Sequence, residues 1–268
     1  MSEHHEHPCP DQYIDLAERI ADAVAAIHLA HFRRDPVVHI KPDGTPVTDV
    51  DREAETRVRE MIAARYPDHG VIGEEYPATL PAADYVWVVD PLDGTQLYIM
   101  GRPSFGLLLA LAYRGRFILG VVDHAALNER WLGIDGHGSF FNGAEARARR
   151  CRDLSESILV RPGHRAGRER EDRAIDSLAR ETRWVQWGLA PHDYGLLASG
   201  HLDLIVSSGP KVHDIAPLDP LIRNAGGWVG DWQGDPLSLA SSGSLIACGD
   251  PALAGKVISR LRSGTTAE

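Results

Sequence analysis

Apolar positions recur at helical spacing through residues 11–32, where Ile14, Ala17, Ala21, Val24 and His28 predict an amphipathic helix. The stretch Lys41-Pro-Asp-Gly-Thr-Pro46 predicts a turn, with Gly and Pro as punctuation. Thr48 then opens a second helix with Ala54, Val58, Met61 and Arg65 on one face; Asp51 and Glu53 lie in its first turn, where the helix dipole favours negative charge. After Gly70 the pattern changes. Val71-Ile72-Gly73 is strand-like, and residues 85–89 form a short apolar run bounded by polar residues, which predicts a buried strand. Residues 105–112, 117–122 and 129–133 predict three successive strands, with Gly136, Gly138 and Gly143 in hairpin loops. Another strand follows at 158–160. The mixed-charge run 165–173 predicts a solvated loop or helix face.

The last third alternates. Helices are predicted at 194–199 and 215–224, the second stopped by Gly226-Gly227, with strands at 202–206, 228–232 and 244–248 and a terminal helix at 253–261. Trp184 and Trp187 are assigned to core or interface. This order predicts stacked α and β layers. No internal repeat or low-complexity linker interrupts it, so residues 11–268 are expected to form one domain, with an N-terminal α+β half (11–150) and a C-terminal α/β half (151–268).

At 268 residues the chain can bury a sizeable core. No apolar run is long enough to span a bilayer. The polar, His-rich start (His4-His5-Glu6-His7) is not expected to be a signal peptide, and residues 1–10 are expected to be a disordered, solvated tail. The three cysteines are scattered, without zinc spacing or a disulfide framework, and the chain is expected to be cytoplasmic. A net charge of −10 argues against nucleic acid and membrane as partners. An anionic substrate would need a cation in the site, and bound metal ions would supply one.

The strongest local signal is Val88-Val89-Asp90-Pro91-Leu92-Asp93-Gly94-Thr95. An apolar strand ends in two carboxylates three apart. Held close, they repel each other and favour a hard divalent cation such as Mg²⁺. Gly94 permits close backbone approach, and a helix opening at Thr95 would aim N–H groups at a phosphate. The plainer reading is a turn, since Asp, Pro and Gly all favour turns. Three further acidic segments stand beside turns or helix starts: Glu74-Glu75, Asp49 with Asp51, and His213-Asp214. Each has a plain alternative as a solvated pair or a helix cap. Together they point to one shared carboxylate site.

Gly73-Glu74-Glu75, Trp87-Val-Val-Asp90-Pro-Leu-Asp93-Gly-Thr95, and His213-Asp214-Ile215-Ala216 with Gly226-Gly227 resemble the signatures of the inositol monophosphatase family of metal-dependent phosphatases. The resemblance spans about residues 11–261 and departs at His213, where an aromatic residue is usual. It implies an α-β-α-β-α sandwich of the inositol monophosphatase/fructose-1,6-bisphosphatase type, a homodimer, two to three Mg²⁺ per site, sensitivity to millimolar Li⁺, and hydrolysis of a small phosphorylated metabolite. It further implies that Glu74, Asp90 and the Leu92 carbonyl hold one metal, Asp90, Asp93 and Asp214 a second, and Glu74 with water a third. Asp51 and Thr95 would orient the attacking water, while Asp93, Gly94 and Thr95 cradle the phosphate.

Residues 194–206 and Glu129-Arg130-Trp131-Leu-Gly133 are similar to the histidinol-phosphate phosphatase branch. That branch carries acids near the positions of Ala190 and Ser207, which with Asp214 are assigned to the substrate. Histidinol phosphate and inositol monophosphate are thus the leading substrates. Two alternatives remain: a haloacid-dehalogenase-type phosphatase, whose motif has one residue fewer between its acids, and a non-catalytic interaction protein that retains the fold.

Overall fold

In the computed structural model, which describes residues 9–164, 167–188, 190–241 and 243–266, five layers alternate. The outer helical layer holds α1 (Asp11–His31) and, after the short hairpin β1 (Val38–Ile40) and β2 (Pro46–Thr48), α2 (Asp49–Arg65). Next comes a seven-stranded sheet built from β3 (Gly70–Gly73), β4 (Tyr85–Asp93), β5 (Gly106–Tyr113), β6 (Arg116–His124), β7 (Glu129–Ile134), β8 (Gly138–Phe141) and β9 (Ala144–Glu145), adjacent in chain order. The short helix α3 (Thr95–Ile99) interrupts the passage from β4 to β5. Strand β3 runs parallel to β4; the later pairs are antiparallel.

The C-terminal part contributes β10 (Ile158–Arg161), α4 (Glu169–Ala179), β11 (Trp184–Trp187), α5 (Pro191–Ala198), β12 (Leu204–Ser208), α6 (Val212–Ile215), α7 (Leu218–Asn224), β13 (Trp228–Gly230), β14 (Ser244–Cys248) and α8 (Ala254–Thr266). Its five strands order as β11-β10-β12-β14-β13. Alternation along the strands explains the layering. Leu107, Leu109 and Leu111 face α1 and α2, while Leu108, Ala110 and Ala112 share a core with Leu197, Leu221 and Ile205 from the other half. Leu204, Val206 and Ile246 face outward to α4 and α8. The expected α-β-α-β-α sandwich is therefore the observed fold.

Several local expectations change. The buried stripe of α2 is Val50, Asp51, Ala54, Glu55, Val58 and Ile62; Arg65 is exposed and Met61 half-buried. The predicted 215–224 helix is two pieces, because Pro217 lacks the N–H that a continuous helix needs. Trp184 and Trp187 lie on the sheet-edge strand β11 and are 59% and 48% exposed, so they are not core. The charged run 165–173 begins outside the described residues and then enters α4, where Asp172 is buried against Arg161. The His-rich start also lies outside them, whereas Cys9 is buried and its N–H bonds to the Asp135 carbonyl. All three cysteines are buried free thiols. No described helix is long and apolar enough to cross a membrane.

Candidate active site

Strand β4 delivers two of the acids. It is paired with Leu108 at Asp90 and with Gly106 at Asp93, so one extra residue bulges out of the ladder between them. The bulge turns Leu92 into the core and lets its N–H donate to Asp90 Oδ1 at 3.1 Å. The Pro91 carbonyl accepts from His28 Nε2 of α1 at 2.9 Å, tying the outer helix to this turn. Gly94 has φ +81°, a left-handed conformation that side chains resist, and α3 starts immediately after it.

Because β3 is parallel to β4 with Gly73 beside Val89, the next residue, Glu74, is carried to the level of Asp90. Helix α6 approaches from the opposite half and presents His213 and Asp214. Donor atoms of Glu74, Asp90 and His213 all lie within 4.8 Å of one another. His213 Nε2 is 3.5 Å from Asp214 Oδ1 and 4.0 Å from Glu74 Oε1. Three segments distant in sequence thus meet at one place.

Asp51 gives its two oxygens to different partners. Oδ2 accepts from the Thr48 N–H (2.8 Å) and hydroxyl (2.5 Å), closing a capping box at the start of α2. Oδ1 is left for the Thr95 hydroxyl at 2.9 Å; the Leu92 carbonyl is that hydroxyl's second acceptor, at 3.0 Å. Asp214 divides its oxygens similarly: Oδ2 accepts from the Lys211 N–H at 2.6 Å, and Oδ1 faces His213. Asp49, by contrast, is exposed and points to His39.

Burial pushes the Asp90 carboxyl well above its ordinary range, and the charges of Glu74, Asp93, Asp214 and Asp51 push it further. Burial also raises Asp51, against the hydrogen bonds from Thr48 and Thr95. Burial raises Glu74 too, but its bond to Lys41 and the charges of His213, Lys41 and Lys211 outweigh this and leave it low. Burial depresses His213, partly offset by Asp214 and Glu74. The Lys41 ammonium, 2.8 Å from Glu74 and 2.6 Å from Glu75, enters from the β1–β2 turn. Glu55 holds the Glu75 and Tyr76 N–H groups from below, and a Cβ on Gly73 would collide with it.

This donor set fits a hard divalent cation. It is dominated by carboxylate oxygens, and the surplus negative charge around buried Asp90 is what such an ion relieves. Beside it a small cavity of about 110 Å³ is lined by Asp93, Ala190, Pro191, Tyr194, Ser207, Pro210 and Asp214. The structure thus brings the charges of Glu74, Asp93, Asp214 and Asp51 around Asp90 and places Asp93, Ala190, Ser207 and Asp214 on the cavity wall, while Asp49 lies away from them. Missed were His213, read as a departure, and Lys41, hidden in a turn whose reach only the fold reveals. Next to Ala190, His192 pairs with Glu129 at 2.6 Å and Asp193 caps α5 through the Ala190 N–H.

His28 carries a measurable consequence. Burial pulls its pKa from 6.5 down to about 4, against the bond to Pro91, and its Nδ1 has no partner among the described residues. The unfolded chain takes up a proton near pH 6.5, the folded one only near 4, so stability falls as pH drops through that window. His28→Gln is expected to remove this contribution, about 2 kcal/mol of the change between pH 8 and pH 5. Urea midpoints of both proteins at the two pH values check it; parallel losses would refute the assignment.

Residues 10–266 match the model of the inositol monophosphatase family. The chain is 36% identical over 239 residues to the chloroplast bifunctional phosphatase IMPL2 of Arabidopsis thaliana, covering 88% of this chain and 69% of that one. It is 33% identical to a histidinol-phosphatase of Mycobacterium tuberculosis, over 93% and 97% of the two chains. The solved inositol monophosphatase of Zymomonas mobilis superimposes with a TM-score of 0.86 at 36% identity, covering 94% and 98%. With two named phosphatases among these relatives and the family's sandwich fold in place, this chain belongs to the inositol monophosphatase family.

Proposed function

We propose that this protein is a Mg²⁺-dependent hydrolase of a small phosphate monoester. The observation that carries the reading is Asp90, buried to 2% exposure within reach of the charges of Glu74, Asp93 and Asp214. Glu74, Asp90 and the Leu92 carbonyl would hold one ion, Asp90, Asp93 and Asp214 a second, and Glu74 a third. When bound, Mg²⁺ supplies charge neutralisation for the phosphate and acidifies a water. The chain's own part is orientation. The Thr95 hydroxyl donates to Asp51 and offers its lone pairs to the attacking water, which is thereby aimed at phosphorus. Gly94 and Thr95 border the phosphate, and the cavity beside Ala190 and Ser207 takes the leaving group.

Apart from Asp93 and Asp214, that cavity has no charged wall. An ammonium there would forgo a charge-assisted hydrogen bond worth about 1.5–3 kcal/mol. A hydroxyl finds Ser207. Histidinol phosphate and inositol monophosphate remain the leading substrates, and the wall favours the hydroxylated one. A panel of both, with a nucleotide monophosphate, assayed with and without Mg²⁺ is expected to show turnover only with the metal. Inositol monophosphate should exceed histidinol phosphate by about tenfold or more in kcat/KM, the ratio that 1.5 kcal/mol sets. No Mg²⁺-dependent turnover on any monoester would end the proposal. Inhibition by millimolar Li⁺ belongs to the same reading. A homodimer, read by sedimentation, is supported by the exposed tryptophans on edge strand β11, and a reducing cytoplasm by the three free thiols.

A further inference from the structure

We propose that a recess at the opposite end of the five-stranded sheet binds a small anion bearing two phosphate groups, gripped by Arg150 and Arg152. The recess has a volume of about 660 Å³ and is lined by Arg147, Arg149, Arg150 and Arg152 on one side and by the Gly226 and Gly249 backbone turns on the other. It is remote from the carboxylate site. Strand β12 follows directly on Asp203, whose side chain holds Arg149 beside the recess, and carries Ser207 beside the leaving-group cavity; at about 3.3 Å per residue these two positions stand roughly 13 Å apart.

Four arginines within six residues run against the field of a chain whose net charge is −10. Their arrangement is fixed by the linker between the two sheets. The Ala146 N–H bonds to the Ser139 carbonyl, the Ala148 N–H to the Ala225 carbonyl and the Cys151 N–H to Asp250. Arg149 forks onto buried Asp203, its Nε at 2.7 Å from Oδ1 and Nη2 at 2.5 Å from Oδ2. Arg147 is paired with Glu145. Pinned in this way, the linker turns Arg150 and Arg152 outward, and neither has an acid within ion-pair distance among the described residues.

Two free guanidinium groups two residues apart on a rigid strap suit a ligand with two phosphates. Each fork can take two phosphate oxygens, and little ordering cost remains because the strap is already held. Gly226 and Gly249 add no side chains to the facing wall, which Asn224, Ala225, Pro251 and Ala252 complete without a positive charge. The positive zone is also short. Glu145 and Asp250 border it, and Asp153 follows Arg152, so it makes a pocket for a small molecule rather than a track for a nucleic-acid strand.

The test titrates the Mg²⁺-loaded full chain calorimetrically with inorganic pyrophosphate, beside an Arg150→Ala/Arg152→Ala double variant. The substituted side chains are exposed and outside the carboxylate site, so melting temperature and Mg²⁺-dependent turnover should be unchanged. The parent protein is expected to show a binding event that the double variant weakens by at least tenfold and that raised NaCl also weakens. Arg150→Lys/Arg152→Lys should recover part of it, because charge returns without the fork. Identical isotherms for parent and double variant would overturn the proposal. So would an oligoribonucleotide whose binding depends on the two arginines while pyrophosphate binding does not.

Discussion

Asp90→Asn is expected to lower Mg²⁺-dependent turnover by at least about 10³-fold, a barrier increase near 4 kcal/mol, while leaving the metal-free protein as stable as the parent or more so. The two halves of this expectation have one cause. Asp90 is buried beside Glu74, Asp93 and Asp214, and in the absence of a cation its charge is opposed by both desolvation and repulsion. Asn removes the charge, retains the Oδ1 that accepts from the Leu92 N–H, and relieves the strain on the acid cluster. What it loses is one negative charge from the acids that would hold Mg²⁺. Mg²⁺ should therefore raise the melting temperature of the parent, by the equivalent of about 2.7 kcal/mol at one hundred times its Kd, and raise that of the variant far less. Melting curves with and without Mg²⁺, read beside turnover, separate this from a folding defect. Equal stabilisation of both proteins by Mg²⁺ would remove Asp90 from the metal site.

Gly133→Ala should destabilise the fold by about 3 kcal/mol or more, through backbone contact rather than lost side-chain packing. Gly133 and Gly120 face each other across β7 and β6, and α7 lies directly on the smooth patch they make. A Cβ on Gly133 would stand 2.2 Å from both Cα and N of Leu221, and one on Gly120 would stand 2.1 Å from the Pro217 carbonyl oxygen. Neither neighbour is the end of a flexible side chain, so the whole helix must lift. That costs the core shared by the two sheets, and it displaces α6, which precedes α7 and carries Asp214. In a chain of this size 3 kcal/mol corresponds to roughly 6–12 °C in Tm. Gly255→Ala provides the contrast: it lies within α8 with open space around it, and should be neutral or slightly stabilising. Comparable Tm losses in the two variants would show that the backbone approach at Gly133 is not what holds the layers.

Local chemistry made much of the site legible. Asp90-Pro-Leu-Asp93-Gly-Thr95 contains its own bulge, its own left-handed glycine and its own helix start, so adjacent residues specify the turn whatever surrounds it. The same holds for strands with uninterrupted apolar runs, such as β5. The assignments that failed were those where a partner decides. Arg65 fits a helical stripe on paper, yet α2 rests on the sheet along Ala54, Val58 and Ile62 and rotates Arg65 into solvent. Of the two readings offered for Trp184 and Trp187, core fails because β11 is an edge strand that leaves them 59% and 48% exposed, and interface stays open.

From sequence alone came the layered class and the carboxylate motifs, because short-range geometry and periodicity encode them. Tertiary structure alone decided that His213 joins Glu74 and Asp90, that Lys41 reaches Glu74, that Asp51 splits its oxygens between the Thr48 cap and Thr95, and that a set of arginines opens a second recess at the far end of a strand. Such contacts join residues tens to more than a hundred positions apart. Their energies depend on which oxygen is already taken and which charge is already buried, and no window along the chain contains both partners.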